Sequence, residues 1–129
     1  MPTTNHAGPT GSPKTYIDMD ENNPFAGITR PAGAVRVCKW EDTETSMPYR
    51  YFVGSSWGVD MPGRGGEIEI WIDGMQHHDG SVSRDIVVCE LDADHPLTIA
   101  QARQLAAVLI AAAAEADELA GRDQIGGQR

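Results

Sequence analysis

Residues 98–120 are rich in alanine and contain neither proline nor glycine. Such a run favours helix strongly, because alanine has the highest helix propensity and gives up no side-chain freedom. Thr98 and Gln101 stand three residues apart, the spacing of a capping box in which each side chain satisfies an amide at the other's position. Asp92 and Asp94 lie just upstream, near the positive end of the helix. Gly121 is the expected stop. Ala102, Leu105, Ala106, Leu109, Ala113 and Ala116 recur at three- and four-residue steps and define one apolar stripe. That stripe leaves Ala107, Val108, Ala111, Ala112 and Ala114 pointing outward, where charges are the usual choice.

A helix of this length is held in place mainly by what it packs against. The preceding sequence supplies strands. Residues 34–40 carry Val35, Val37 and Trp40; residues 48–55 carry Tyr49, Tyr51, Phe52 and Val53. Residues 67–73 alternate cleanly, and residues 84–91 hold Ile86, Val87, Val88 and Cys89. The gaps contain Pro, Gly, Asp and Ser, with Asp79-Gly80 marking a turn and residues 58–66 the longest break. The expected fold is α+β: a four-stranded antiparallel meander with one long C-terminal helix packed on one face. Residues 34–121 form this single domain. Residues 1–33, rich in Pro, Gly, Asn and Thr without an apolar period, read as a disordered or loosely docked arm. Within the arm Tyr16 and Phe25 are candidate anchors for a partner or for the domain itself. Residues 122–129 read as a flexible tail.

Parity separates the two faces of the sheet. Ile68, Ile70 and Ile72 share one face and should meet the helix; Glu67, Glu69, Trp71 and Asp73 share the other. A Trp among carboxylates is either flattened over a neighbouring strand or an anchor for a contact. The other strands are also apolar on both sides. Ile86 and Val88 oppose Val87, Cys89 and Leu91, while Tyr49, Tyr51 and Val53 oppose Phe52. One helix covers one face, so the second calls for the arm, a second copy or a partner.

Ten Lys and Arg against 19 Asp and Glu give a net charge of −9, which repels phosphate backbones and anionic membranes. Direct nucleic-acid or membrane binding is therefore not expected; basic protein surfaces are compatible. Two cysteines, Cys38 and Cys89, make no disulfide framework and read as buried thiols. No basic-then-apolar segment opens the chain, and the apolar run 105–114 is short for a bilayer span, so the expectation is a cytoplasmic protein.

Several arrangements invite a chemical reading. Gly54-Ser55-Ser56-Trp57-Gly58 matches G-x-S-x-G with Ser56 in the nucleophile position, but Val59-Asp60-Met61-Pro62-Gly63 is no helix and cannot complete an oxyanion hole. His77, His78 and Asp79 fall at a hairpin tip, while His95 follows the next strand, about 20 Å away, so one metal cannot use all three histidines of one chain. Asp18-Met19-Asp20-Glu21-Asn22 imitates the start of a calcium loop but has Asn23 at the sixth position and Thr29 at the twelfth. Gly63-Arg64-Gly65-Gly66 lacks the lysine and following helix of a phosphate loop. No catalytic residue, cofactor or metal site is expected from these motifs.

The segment Leu97-Thr98-Ile99-Ala100-Gln101-Ala102-Arg103-Gln104-Leu105-Ala106-Ala107, continued by Ala112-Ala113-Ala114-Glu115-Ala116-Asp117, resembles the C-terminal helix of small uncharacterised actinobacterial and actinophage proteins. In these a β-meander precedes a helix of the type L-T-x-x-Q-A-R-x-L-A-x-x-L. The resemblance implies an actinobacterial or phage setting and an α+β fold, and it assigns no activity.

The surfaces point to a non-enzymatic interaction or regulatory accessory protein that self-associates, as a dimer, or binds a protein partner. The candidate contact residues are Trp71, Tyr49, Tyr51, Val87, Cys89, Leu91, Val108, Ala111, Tyr16 and Phe25. One alternative is an acidic decoy that occupies a basic, nucleic-acid-binding surface of a partner, suggested by Glu67, Glu69 and Asp73. Another is a hydrolase-like enzyme whose site forms between subunits from Ser56, His77, His78 or His95.

Overall fold

The computed structural model describes residues 4–6, 24, 25 and 27–127. It is an α+β fold, an antiparallel sheet with one long C-terminal helix. The strands are β1 (Thr4–His6), β2 (Arg36–Val37), β3 (Tyr49–Asp60), β4 (Glu67–His77) and β5 (Val82–Cys89); the helix is α1 (Ile99–Gly127). The long strands β3, β4 and β5 form the expected meander. Both short strands pair with β3 on its remaining edge, β2 at Phe52 and Val53 and β1 at Ser56, Trp57 and Gly58. The edge strand β1 lies within the stretch expected to be a loose arm. Tyr16, the calcium-loop imitation at residues 18–22 and the last two residues of the expected tail lie outside the described residues.

The break expected at residue 58 begins only at Met61, because β3 runs unbroken through its glycines to Asp60. It does so with a register shift against β4 between Val53 and Ser56. An extra residue in one strand reverses the parity that follows. Phe52 thus faces the helix side before the shift, and Trp57 and Val59 face it afterwards. Glycine is required at Gly74, where a Cβ would overlap the ring of its cross-strand partner Phe52 and the Ser83 carbonyl; at Gly58 a Cβ would meet only the flexible end of the Glu67 side chain. The hairpin between β4 and β5 turns at the expected place, with Gly80 at φ 91° and Ser81 donating to Asp79.

Ile68, Ile70 and Ile72 are fully buried and pack with Trp57, Val59 and Met61 beneath Val108, Ala112 and Leu119 of α1. The alternation of β4 thus places its isoleucines against the helix, as expected. The contact side of α1 does not follow the expected stripe. Leu105, Leu109 and Ala116 belong to it, but its centre is Val108 and Ala112, while Ala102, Ala106 and Ala113 are exposed. Val108, placed outward from the sequence and named as a contact residue, is only 2% exposed. Alanine on every side of the helix leaves the apolar period shallow, so the larger side chains and their partners set the rotation. Thr98 and Gln101 form the expected capping box, at 2.8 and 3.1 Å.

Gly121 does not end the helix, which continues to Gly127. A helical glycine costs about 1 kcal/mol relative to alanine. The turn beyond it carries a side chain that offsets this. Asp123 continues the contact stripe one turn past Leu119, accepts from the Ala32 amide at 2.8 Å and pairs with Arg84 of β5. Arg84 also donates to the Ala32 carbonyl at 2.9 Å and lies over the Phe52 ring. Residues of the expected arm and the expected tail therefore close the helix onto the sheet.

Nearby, Arg50 donates to Gln76 at 2.8 Å, and Gln76 donates to the Thr29 carbonyl at 2.9 Å. The Arg50 guanidinium lies over Trp40, whose ring meets Phe25 edge-on. Removing one member of a buried ion pair leaves an uncompensated charge. Asp123→Ala should therefore lower unfolding stability by about 3 kcal/mol, read from denaturant midpoints. An unchanged midpoint would show that the last turns of α1 do not hold the fold.

Candidate functional site

The residues singled out from the sequence divide into buried and accessible groups. On the sheet face away from α1, Val53 and Trp71 form a second buried cluster with half-buried Cys38, Val87 and Cys89 packed against it. Trp71 is 4% exposed, so the accessible anchor expected there is instead a core residue. Its indole Nε1 has no hydrogen-bond partner among the described residues. Phe25 is half-buried on Trp40, which engages it within the chain. Tyr49 and Tyr51 meet edge-on with ring centres 5.5 Å apart, and Tyr51 and Leu91 are exposed. Partial burial, with Tyr51, Asp42 and Glu41 close by, raises the Tyr49 phenol above its ordinary value.

The chemical candidates do not converge within the chain. Ser56 is 1% exposed, lies inside β3 and pairs across the sheet with Trp71. His77 pairs with Tyr49 at the far end of the same ladder, about 20 Å along the strand. His95 sits before α1 with Nδ1 2.9 Å from Asp92; that hydrogen bond and the Asp94 amide hold the Asp92 carboxyl below its ordinary value. Among the described residues no three His, Cys, Asp or Glu side chains are grouped to hold a metal ion. Cys38 lies beyond β3 and Cys89 on β5, about three strand spacings or 14 Å apart, too far for a disulfide.

Two surfaces remain. The first is an acidic cleft of about 640 Å³ at the end of the sheet, lined by Asp60, Glu67, Glu69, Glu90, Arg64 and the glycines Gly65 and Gly66. Arg64 donates to the Glu90 carbonyl across it. Asp60 pairs directly with Glu67 across the ladder, and Asp73 with Asp85. Like charges in opposed positions repel. The strand alternation that turns isoleucine toward the helix turns these carboxylates the other way.

The second surface is the outer side of α1. Ala106, Ala107, Ile110, Ala111, Ala113 and Ala114 are all exposed, without a charged residue among them. Ile110 is 72% exposed and Ile99, a few turns earlier, is 74% exposed. Ala111, expected at a contact, belongs here. Ile99 and Ile110 are in neither the apolar stripe nor the outward set expected from the sequence, because alanine on every side leaves the helix faces hard to tell apart. By length and composition the stretch Ile99–Asp123 is long and apolar enough to cross a membrane, which the apolar run alone did not suggest; its sheet side is occupied by the core.

A comparison with known protein families, with characterised proteins and with solved structures finds no match to this chain.

Cys89 supplies a chemical check on the second cluster. Burial pushes its thiol up, with Glu90 and Glu69 adding to the shift. The thiolate is the reactive form, so this cysteine is a poor nucleophile near neutrality. In a Cys38→Ser variant, alkylation of Cys89 should keep accelerating past the ordinary thiol value of 9.0. A titration midpoint below that value would contradict its placement beside two carboxylates.

Proposed function

We propose that this chain is a non-enzymatic interaction module, an accessory protein that self-associates or docks on a partner through the outer side of α1. The observation that supports it is Ile110, mostly exposed at the centre of an outer side that is alanine at every neighbouring position. Contiguous exposed apolar surface is uncommon on monomers and marks contact sites. Alanine flanking a single large side chain lets another surface approach the helix closely, with Ile110 filling the space between. The fold makes no use of this side, since Val108, Ala112 and Leu119 carry the contact with the sheet.

Ile110→Lys should abolish association while leaving the thermal midpoint within about 2 °C, because surface substitutions change stability by less than about 0.5 kcal/mol. Analytical ultracentrifugation and capture from a host lysate read the loss. Association unchanged by this substitution would remove the helix surface from the reading.

A second reading is favoured by the two opposed carboxylate pairs, Asp60 with Glu67 and Asp73 with Asp85, on the sheet face away from α1. A basic partner would place opposite charge beside these carboxylates, as expected of an acidic protein that occupies a cationic, nucleic-acid-binding surface. Binding to an oligolysine peptide should then weaken steeply as salt rises, and more so in the wild type than in Asp73→Asn. Salt-independent binding would count against this reading. The inter-subunit hydrolase reading gains no support from a serine buried within β3.

A further inference from the structure

We infer that the occupant of the outer side of α1 is a second copy of the same helix, running antiparallel about a two-fold axis beside Ile110. The inference rests on the interaction-module reading above and specifies its partner and register. Three features of the helix carry it.

The first is the exposed Ile110 itself, with Ala106 and Ala107 one turn before it and Ala113 and Ala114 one turn after, all exposed. A two-fold axis at Ile110 sets each residue opposite the one equally far on the other side of the centre. Ala106 then faces Ala114 of the second copy, and Ala107 faces Ala113. Small residues meet small residues on both sides of the axis, and the two Ile110 side chains meet each other at its centre.

The second feature is charge. Arg103 lies seven residues before Ile110 and Asp117 seven residues after it, and both are exposed. Seven residues are close to two helical turns, so both lie on the Ile110 side. The antiparallel arrangement brings Arg103 of each copy to Asp117 of the other, two opposite-charge contacts from one residue pair. A parallel arrangement sets Arg103 against Arg103 and Asp117 against Asp117. Charges flanking an apolar helix seam set partner orientation in this way.

The third is reach. The same axis places Ile99 against Gly121 of the second copy, which has no side chain to oppose it. The seam therefore extends over both exposed isoleucines, with the Arg103 and Asp117 pairs between them. An isologous contact of this kind closes on itself and stops at two copies. A single helix pair is a small interface, so the dimer should be weak.

Sedimentation equilibrium of the full chain and its variants tests the arrangement. Wild type should dimerise at micromolar concentration, and Ile110→Lys should raise the dissociation constant at least about tenfold. Arg103→Glu and Asp117→Arg should each weaken the dimer, because each sets like charges opposite one another twice. The double variant carrying both should recover wild-type dimerisation; a parallel pair, whose opposed charges are alike in every variant, or an unrelated interface would not be weakened by the single substitutions. All three positions are exposed, so circular dichroism and the thermal midpoint should not move. A wild type that stays monomeric at several hundred micromolar overturns the inference. So does a dimer indifferent to Ile110→Lys, which also removes the helix from the broader reading. A dimer lost in Ile110→Lys but not recovered in the double exchange overturns the antiparallel register and leaves the helix surface as the contact. A monomeric wild type whose capture of lysate proteins is lost in Ile110→Lys overturns the second copy alone.

Discussion

Burial of the isoleucine row of β4 under α1 is the contact on which the rest of the molecule depends. Ile68, Ile70 and Ile72 occupy alternate positions of the central strand of the long meander, so they lie where β3, β4 and the helix meet. Fully burying one such side chain stabilises by about 1.5–3 kcal/mol, and three adjacent ones dominate a domain this small. The row also dictates the opposite face. Once isoleucine points to the helix, Glu67, Glu69, Trp71 and Asp73 must point away, and the acidic character of that face follows from strand geometry.

The helix completes the core with an economical contact. Ala112 is fully buried at its centre, and a small residue there lets α1 lie close to the isoleucines. Ends matter as much as the middle. The capping box fixes the start of α1, and Asp123, bridging Ala32 and Arg84, fixes its far end to β5 and to the chain before β2. A helix held at both ends and along one stripe is a rigid platform. Its other side, with Ile99 and Ile110 exposed, presents apolar surface in a defined geometry.

The register shift in β3 explains a pattern that looks inconsistent along the chain. Phe52, Trp57 and Val59 all serve the helix side although their positions differ in parity. With one residue inserted between Val53 and Ser56, the strand keeps its apolar face against the core over its whole length. The same shift turns Ser56 to the face away from α1, where it is buried opposite Trp71. Gly58, read locally as a turn residue, lies inside β3 with the Glu67 carboxylate over it.

Much of the architecture was legible in the residues themselves. The alternation of β4, the Asp79-Gly80 turn and the capping box are local signals, written over a few residues and read by rules of period and hydrogen bonding. The rotation of α1 was not, since alanine on all sides gives nearly the same apolar score to several faces. Val108, expected outward, lies in the core on that account. Nor did local sequence announce that Asp123 and Ala32 meet, since 91 residues separate them. The sequence by itself determined the strands, the helix and the side of β4 that must be buried, because those follow from side-chain period and propensity. Only the tertiary structure decided which side of α1 is spent on the core and which stays exposed, because that choice depends on steric fit and on one ion pair between distant parts of the chain.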